Sequence, residues 1–208
     1  GPDADVQALR DFTMRNPGDL VGRLRLGDAL FRAERWDEAE TEFEAALRIF
    51  PEYGGPSSPY YYLARIHRER GELELANAAL TRLVALSEAD YQARIFRAEI
   101  LTELGRPGEA AEVLDDAVLI WPYDISLHEE LAELHADLGD TIGEVRERSA
   151  IVALDPADRA QALYRLARAQ HRAGDLPGAR RSILGALEIA PSYEEALELL
   201  LVIRNSGS

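Results

Sequence analysis

The chain of 208 residues contains 23 basic and 38 acidic residues, which gives a formal net charge of −15, and it has no cysteine. A chain this acidic repels phosphate backbones and anionic lipid surfaces, so we expect no nucleic-acid partner and no attachment to membranes. The lack of cysteine excludes disulfides and cysteine-bound zinc, and because every basic residue is arginine, Schiff-base and P-loop lysine chemistry are excluded as well.

Taken in chain order, the sequence is dominated by an internal repeat. Residues 1–19 are interpreted as a partial repeat, the second helix of a truncated unit. They begin with Gly1 and Pro2, which resemble a protease-cleavage scar. Five helix–turn–helix repeats of 34 residues follow, and residues 194–208 predict a C-terminal capping helix with a flexible tail. The predicted repeat boundaries are 20–53, 57–90, 91–124, 125–158 and 160–193. No stretch of about 18 uninterrupted apolar residues occurs, so no membrane insertion is expected.

Small residues recur at two positions of the repeat, which lets two helices approach closely. The first position holds Gly27, Ala64, Ala98, Ala132 and Ala167, and the second holds Ala39, Ala76, Ala110, Glu144 and Ala179. Glycine ends four of the five first helices, as expected of a left-handed C-cap, whereas Glu34 replaces it in the first repeat and predicts a less regular turn. The fourth repeat deviates most, with Glu144, Arg148 and Ile151 at positions that are usually small or aromatic, so we expect its second helix to pack loosely.

A 34-residue helix pair with this small-residue pattern and a closing proline resembles the tetratricopeptide repeat, over residues 20–193. The resemblance implies an all-α fold, a right-handed α-solenoid (superhelix) of antiparallel helix hairpins whose first helices line a concave groove. It also implies a non-catalytic protein–protein interaction scaffold that binds a peptide or partner protein in this groove. We interpret the chain as a segment of a larger bacterial protein of this family.

Helical periodicity selects the side chains that face the predicted groove. They are aromatic and basic in the first two repeats, acidic in the middle and basic again in the fifth. We predict a partner-binding set of aromatic anchors and charged contacts consisting of Phe31, Arg32, Tyr61, Arg65, Arg68, Glu99, Glu133, Tyr164, Arg165, Arg168 and Arg172. The alternative interpretation is a set of solvated helix faces with intramolecular Arg–Glu pairs.

Two other functions compete with peptide recognition. The first is a structural spacer or self-association segment that joins copies through the end helices within a larger secretion, polysaccharide-export or envelope assembly. The second is an accessory domain beside an enzyme.

Catalytic and metal-binding motifs are missing from the sequence. There is no GxSxG, no GxGxxG after a strand and no P-loop. His128 and His135 are seven residues apart, whereas helical metal-binding pairs use spacings of three or four, and His67 and His135 share one repeat position, which indicates packing. We therefore predict no enzymatic activity, no metal and no cofactor.

Overall fold

In the computed structural model, residues 2–55 and 57–206 are described, and every regular element among them is an α-helix. The twelve helices of this part of the chain are α1 (Pro2–Arg15), α2 (Leu20–Arg32), α3 (Trp36–Ile49), α4 (Pro59–Glu69), α5 (Leu73–Leu86), α6 (Tyr91–Glu103), α7 (Pro107–Ile120), α8 (Ile125–Asp137), α9 (Thr141–Ala153), α10 (Arg159–Arg172), α11 (Leu176–Ile189) and α12 (Glu194–Ser206). None of these described helices combines the length and hydropathy needed to cross a bilayer. Of the predicted scar and tail, Gly1, Gly207 and Ser208 lie outside the described residues.

Local sequence signals account for where these helices begin and end. An aspartate precedes six of them and accepts a hydrogen bond from a backbone N–H of the first turn, which satisfies a donor that has no partner within the helix. These N-caps are Asp19, Asp90, Asp124, Asp140, Asp158 and Asp175. Gly71, Gly105, Gly139 and Gly174 have φ between 69° and 79°, which confirms the predicted left-handed turns. Glu34 is forced to the same conformation at φ 57°.

The chain divides into two compact units, residues 1–106 (the N-terminal unit) and residues 107–208 (the C-terminal unit). In the N-terminal unit, α2 packs against α3 and α4 against α5, while α3 contacts α4 and α5 contacts α6. In the C-terminal unit, α8 packs against α9 and α10 against α11, while α9 contacts α10 and α11 contacts α12. Each unit is therefore a stack of helix hairpins. The division into repeats at the boundaries given above stays a prediction.

The small repeat positions are buried, and the neighbouring side chains are matched to them in size. A Cβ added to Gly27 would lie 2.7 Å from the ring of Phe43, so the glycine provides the space that this phenylalanine fills. In the next hairpin, Ala64 takes the position of Gly27, and Leu80, which is smaller than phenylalanine, takes the position of Phe43. Ala64 and Leu80 lie in one core cluster. All four residues are buried, and Phe43, Ala64 and Leu80 are each 0% exposed.

The fourth repeat does not pack loosely, and that expectation was wrong. Glu144, Arg148 and Ile151 are only 1%, 5% and 4% exposed. Burial of the two charges is tolerated because Arg172 pairs with Glu144 and Glu133 pairs with Arg148. A charged network thus replaces the apolar packing of the other repeats at this point.

Candidate functional site

In the N-terminal unit, α2 and α4 bring an arginine over an aromatic ring. The Cζ atom of Arg65 lies 4.7 Å from the centroid of the Phe31 ring, a cation–π distance. The Phe31 ring in turn meets the edge of Tyr62 at 5.2 Å. Arg65 is exposed, and among the side chains that the structure describes no carboxylate forms an ion pair with it. Its guanidinium donors are therefore available to a ligand.

A second cluster of the N-terminal unit lies between α4 and α6. Arg68 donates to Glu99 at 2.9 Å and also to Glu103, and its Cζ lies 5.4 Å from the Phe96 ring. The hydrogen bond to Glu103 raises the pKa of Arg68 above its ordinary value. Tyr61 packs against Phe96 with ring centroids 5.5 Å apart. These side chains line a cleft of about 290 Å³, together with Arg65.

In the C-terminal unit, α10 presents the corresponding arginine–aromatic pair. Arg168 is exposed and lies 5.8 Å from the centroid of the Tyr164 ring, which also packs against Tyr193 at 5.1 Å. As with Arg65, no described residue forms an ion pair with Arg168. Each unit thus has an exposed arginine near an aromatic ring, although Arg65 and Phe31 lie on different helices and Arg168 and Tyr164 lie one turn apart on α10.

The remaining arginines of α10 are engaged by carboxylates. Arg165 lies 3.7 Å from Glu129, and Arg172 donates to the buried Glu144. With Arg168 they line a cleft of about 440 Å³ in the C-terminal unit. Glu133 lies at its edge and accepts from Arg148, and this hydrogen bond lowers the pKa of the Glu133 carboxyl.

The structure brings most of the sequence-predicted residues together within their own unit. Phe31, Tyr61, Arg65, Arg68 and Glu99 form the first set, and the second set consists of Glu133, Tyr164, Arg165, Arg168 and Arg172. Arg32 is peripheral, because its largely exposed side chain pairs with Asp28, one turn earlier on the same helix, and lines neither cleft. The predicted alternation of charge over the whole groove would involve both units and stays a prediction.

Sequence reasoning missed two contributors to these sites. Phe96 forms a wall of the first cleft, and nothing in the sequence distinguishes it from a core residue. Arg148 lines the second cleft. The sequence signal for Arg148 was present, since it breaks the repeat pattern, but it was interpreted as a packing defect.

A further ionic cluster of the C-terminal unit involves both histidines of α8. Asp115, His135 and Glu147 offer ligand atoms within 4.8 Å of one another. The guanidinium of Arg146 lies among them, donates to both carboxylates and is 3.2 Å from His135 Nε2. His135 Nδ1 lies 2.9 Å from Asp140, the residue that caps α9. The arrangement is that of a salt-bridge network which joins α7, α8 and α9.

His128 extends this network inside the C-terminal unit. Its Nδ1 is 2.6 Å from Glu147, and its Nε2 is 3.1 Å from the carbonyl of Pro122. Both His128 and Glu147 are nearly inaccessible to solvent, at 3% and 2% exposed. His67 in the N-terminal unit has the same kind of neighbour, with Glu72 at 2.7 Å from its Nδ1. His67, like His135, therefore contacts a carboxylate just beyond the end of its own helix.

Comparison with known proteins identifies the repeat. Family models described as tetratricopeptide repeat match residues 21–89, 61–125 and 147–202. No curated protein sequence matches the chain at a significant level. Among solved structures, YrrB, described as a TPR protein with an unusual peptide-binding site, is similar with a TM-score of 0.64 and 16% identity, over 93% of this chain and 97% of YrrB.

Two further solved structures have similar scores. The MamA RS-1 ArsTM double mutant matches with a TM-score of 0.62 and 19% identity, over 74% of this chain and 85% of that one. A chain from the structure of Naa15/Naa10 bound to HypK-THB matches with a TM-score of 0.63 and 19% identity, over 81% of this chain and 25% of that one. At such identities the likeness shows the fold alone.

The helices and the matched repeats agree on one architecture. All regular structure within residues 2–55 and 57–206 is helical, and the fold is an α-solenoid of helix hairpins. Proteins with this fold are interaction scaffolds that bind peptides or proteins, typically without catalytic activity. Because the matched segments cover more than half of its residues, the chain belongs to the tetratricopeptide repeat family.

Proposed function

We propose that this protein binds an extended peptide segment of a partner protein in a concave groove lined by its first helices. One observation carries the proposal. Each unit presents an exposed arginine over an aromatic ring, Arg65 on Phe31 and Arg168 on Tyr164, and neither arginine has a carboxylate partner among the described residues. Planar guanidinium groups pre-oriented on rings are suited to bidentate recognition of carboxylates, and the rings provide apolar anchor surface.

The other predicted arginines contribute differently to this proposed site. Arg68, Arg165 and Arg172 are held by Glu99, Glu129 and Glu144, so a ligand would have to compete with a charge that is already in place. The pairs of Arg68 and Arg165 are partly exposed and therefore weak in water, so their exchange for ligand contacts brings little net free energy. Arg172 holds the buried Glu144, and that pair is costly to break. We therefore expect Arg65 and Arg168 to contribute most of the charged contacts, while the paired arginines fix the shape of the clefts.

The likeness to YrrB supports the proposal at the level of the fold. That protein is described as having a peptide-binding site, and it matches nearly the whole of this chain. Extended binding surfaces are the general mode of recognition in solenoids, because stacked repeats repeat the same side-chain positions along one face.

A peptide selection followed by titration tests the proposed function. Peptides are selected from a random dodecapeptide phage library, and the recovered sequence is titrated against wild type, Arg65→Met and Arg168→Met by fluorescence anisotropy. We expect each substitution to weaken binding by about tenfold, the effect of one charge-assisted hydrogen bond. Arg25→Met and Arg82→Met serve as matched controls, since both remove an exposed arginine that lines none of these clefts.

Two outcomes would contradict the proposal. The first is that no peptide is recovered, and the second is that the recovered peptide binds both variants as tightly as wild type. Circular dichroism confirms that the helices are intact in each variant.

A second candidate function, self-association through an end helix, is supported by one feature of the C-terminal unit. Between α11 and α12 lies a cleft of about 670 Å³ with Leu184 and Leu201 in its walls, and these side chains are 42% and 52% exposed. Light scattering over a dilution series tests this function. A dimer that dissociates in the Leu201→Arg variant is the expected result, and a monomer at all concentrations would exclude it.

A further inference from the structure

Arg148 occupies a core position of the repeat. The same register position in the other second helices carries Phe43, Leu80, Leu114 and Ile183, which are all 0% or 1% exposed. Arg148 is 5% exposed at this position, so a charged side chain has replaced a large apolar one. Burial of a charged side chain costs free energy because the charge loses its contact with water, and an apolar residue has no such cost. Buried charges are therefore often less stabilising than apolar residues of similar size.

Protein groups satisfy the guanidinium of Arg148 only in part. Nη2 donates to Glu133, but neither Nε nor Nη1 has a hydrogen-bond acceptor anywhere in residues 2–55 and 57–206. Glu144 is the nearest carboxylate to Nε, at 3.9 Å, and it is already bound by Arg172. Buried donors without acceptors are unfavourable and rare in native proteins. The free donors therefore point to an acceptor that comes from outside the chain.

Arg148 lies between two clefts of the C-terminal unit. The first, of about 440 Å³, is also lined by Arg165, Arg168 and Arg172, so that four arginines face three carboxylates in a protein whose net charge is strongly negative. The second, of about 280 Å³, shares Arg148 and Arg165 and has apolar walls that include Ile125 and Ile151. Arg165 lines both clefts beside Arg148, and its ion pair with Glu129 is loose at 3.7 Å.

We propose that Arg148, together with Arg165 and Arg168, binds the carboxylate of a glutamate side chain in an acidic peptide. This inference rests on the proposed function and names the chemistry of its ligand. Arg148 and Arg165 line both clefts, so a glutamate fits with its methylene groups against Ile151 in the second cleft and its carboxylate at the unused N–H donors of Arg148, toward Arg168 in the first cleft. Glu133 and Asp137 line the first cleft and would repel a phosphate dianion more strongly than a single carboxylate.

Fluorescence anisotropy with fluorescein-labelled hexaglutamate tests the site in the full chain at low ionic strength. Long-range repulsion by the net charge of −15 opposes this probe, so binding requires a local site. Arg148→Leu restores the residue type of the other repeats, and we expect it to weaken binding by tenfold or more. Arg82→Leu removes the same charge from the exposed surface of α5, outside every cleft described above, and should leave the affinity unchanged.

Three results would overturn the assignment. Unchanged binding by Arg148→Leu would show that the buried donors do not reach the ligand, and equal weakening by Arg82→Leu would show that only the overall charge matters. Tighter binding of hexaphosphoserine than of hexaglutamate, with the same dependence on Arg148, would assign the site to phosphate. Hexaglutamine is the uncharged control and should not bind.

Stability measurements separate the ligand site from a structural role. We expect Arg148→Leu to unfold in urea at the same midpoint as wild type or a higher one, because it replaces a half-satisfied charge with a core residue. If this variant is less helical than wild type, Arg148→Met is titrated instead, since it keeps the unbranched stem. Loss of hexaglutamate binding in Arg168→Met but not in either Arg148 variant would refute the Arg148 site and leave the proposed function standing. If the Arg148 variants, Arg168→Met and Arg65→Met all leave the binding of every recovered peptide unchanged, both proposals fail.

Discussion

The ion pair between Glu144 and Arg172 determines how the fourth repeat accommodates a charge in its core. Glu144 is 1% exposed and accepts from Arg172 Nε at 3.2 Å and from Nη2. The Arg172 side chain is 42% exposed. Replacing Arg172 with alanine would leave a buried carboxylate whose next cation, Arg148 Nε, is 3.9 Å away.

The expected loss follows from the geometry of this pair. Two unit charges 3.2 Å apart attract each other by ~5 kcal/mol at an effective dielectric constant of about 20. Water screens the half-exposed Arg172, and we take about half of this value, so that Arg172→Ala lowers the free energy of unfolding by ~2–3 kcal/mol. This lies at or just below the ~3–5 kcal/mol typical of breaking a fully buried pair.

The double variant Glu144→Ala/Arg172→Ala should be much less affected. It removes the buried charge together with its partner, and alanine is the residue that the other four repeats carry at this position. We expect its stability to lie within ~1 kcal/mol of wild type. The double-mutant cycle then yields a coupling free energy of ~2 kcal/mol.

Urea denaturation followed by circular dichroism measures all four proteins of this cycle. Arg159→Ala is the matched control, because Arg159 pairs with Asp155 at 3.1 Å on an exposed surface and should contribute less than ~0.5 kcal/mol. The reasoning is refuted if Arg172→Ala is no more destabilising than this control. It is also refuted if the double variant loses the sum of the two single effects.

Three further predictions concern packing, backbone and titration. Gly27→Ala should lower the free energy of unfolding of the N-terminal unit in urea by ~1–3 kcal/mol, because the added Cβ would meet the Phe43 ring at 2.7 Å. Adding Phe43→Leu should recover more than half of that loss. If the losses of the two single variants simply add in the double variant, the size matching is contradicted. Glu34→Gly should raise the free energy of unfolding by ~0.5–1 kcal/mol, because it removes the backbone strain of a non-glycine residue in the left-handed conformation at φ 57°. Thermal melting measures this change, and an unchanged or lower melting temperature would contradict it. Arg148 lowers the pKa of Glu133 below its ordinary value of 4.5, so the stabilisation from their pairing is present above that pH and is lost as the pH falls through the lowered pKa. In Arg148→Leu, a carbon-13 NMR titration should find the pKa of Glu133 raised toward 4.5. An unchanged pKa would show that the contact is not made in solution.

Much of the fold was predictable because its signals are local. A glycine after the first helix and a proline after the second act through their own backbone restrictions, and these positions lie where the helices end in the structure. The aromatic and basic character of α4 and α10 followed from helical periodicity, which needs only the spacing of residues on one helix. Arg65 and Arg168 could therefore be placed on a shared type of surface before any contact was known.

Arg168 and Tyr164 are four residues apart on α10, a spacing that brings side chains together on one helix face, but the other pairs could not be predicted because they join different helices. Arg65 stacks on Phe31, a residue 34 positions earlier, and Arg172 neutralises Glu144 from 28 positions away. A sequence shows that Glu144 breaks the repeat pattern, but not which cation compensates for its charge. That is why loose packing was expected where the structure has a buried network.

The sequence by itself determined the class of the protein, since a 34-residue period with small residues at fixed positions permits little other than stacked helix hairpins. Only the tertiary structure decided which charged side chains form ion pairs within the described part of the chain and which do not. The physical reason is that a charge is free or satisfied according to its neighbours within about 4 Å, and in a solenoid those neighbours come from the next helix or the next repeat. Arg65 and Arg168 are exposed beside aromatic rings, and Arg148 is buried with N–H donors at Nε and Nη1 that have no acceptor among the described residues.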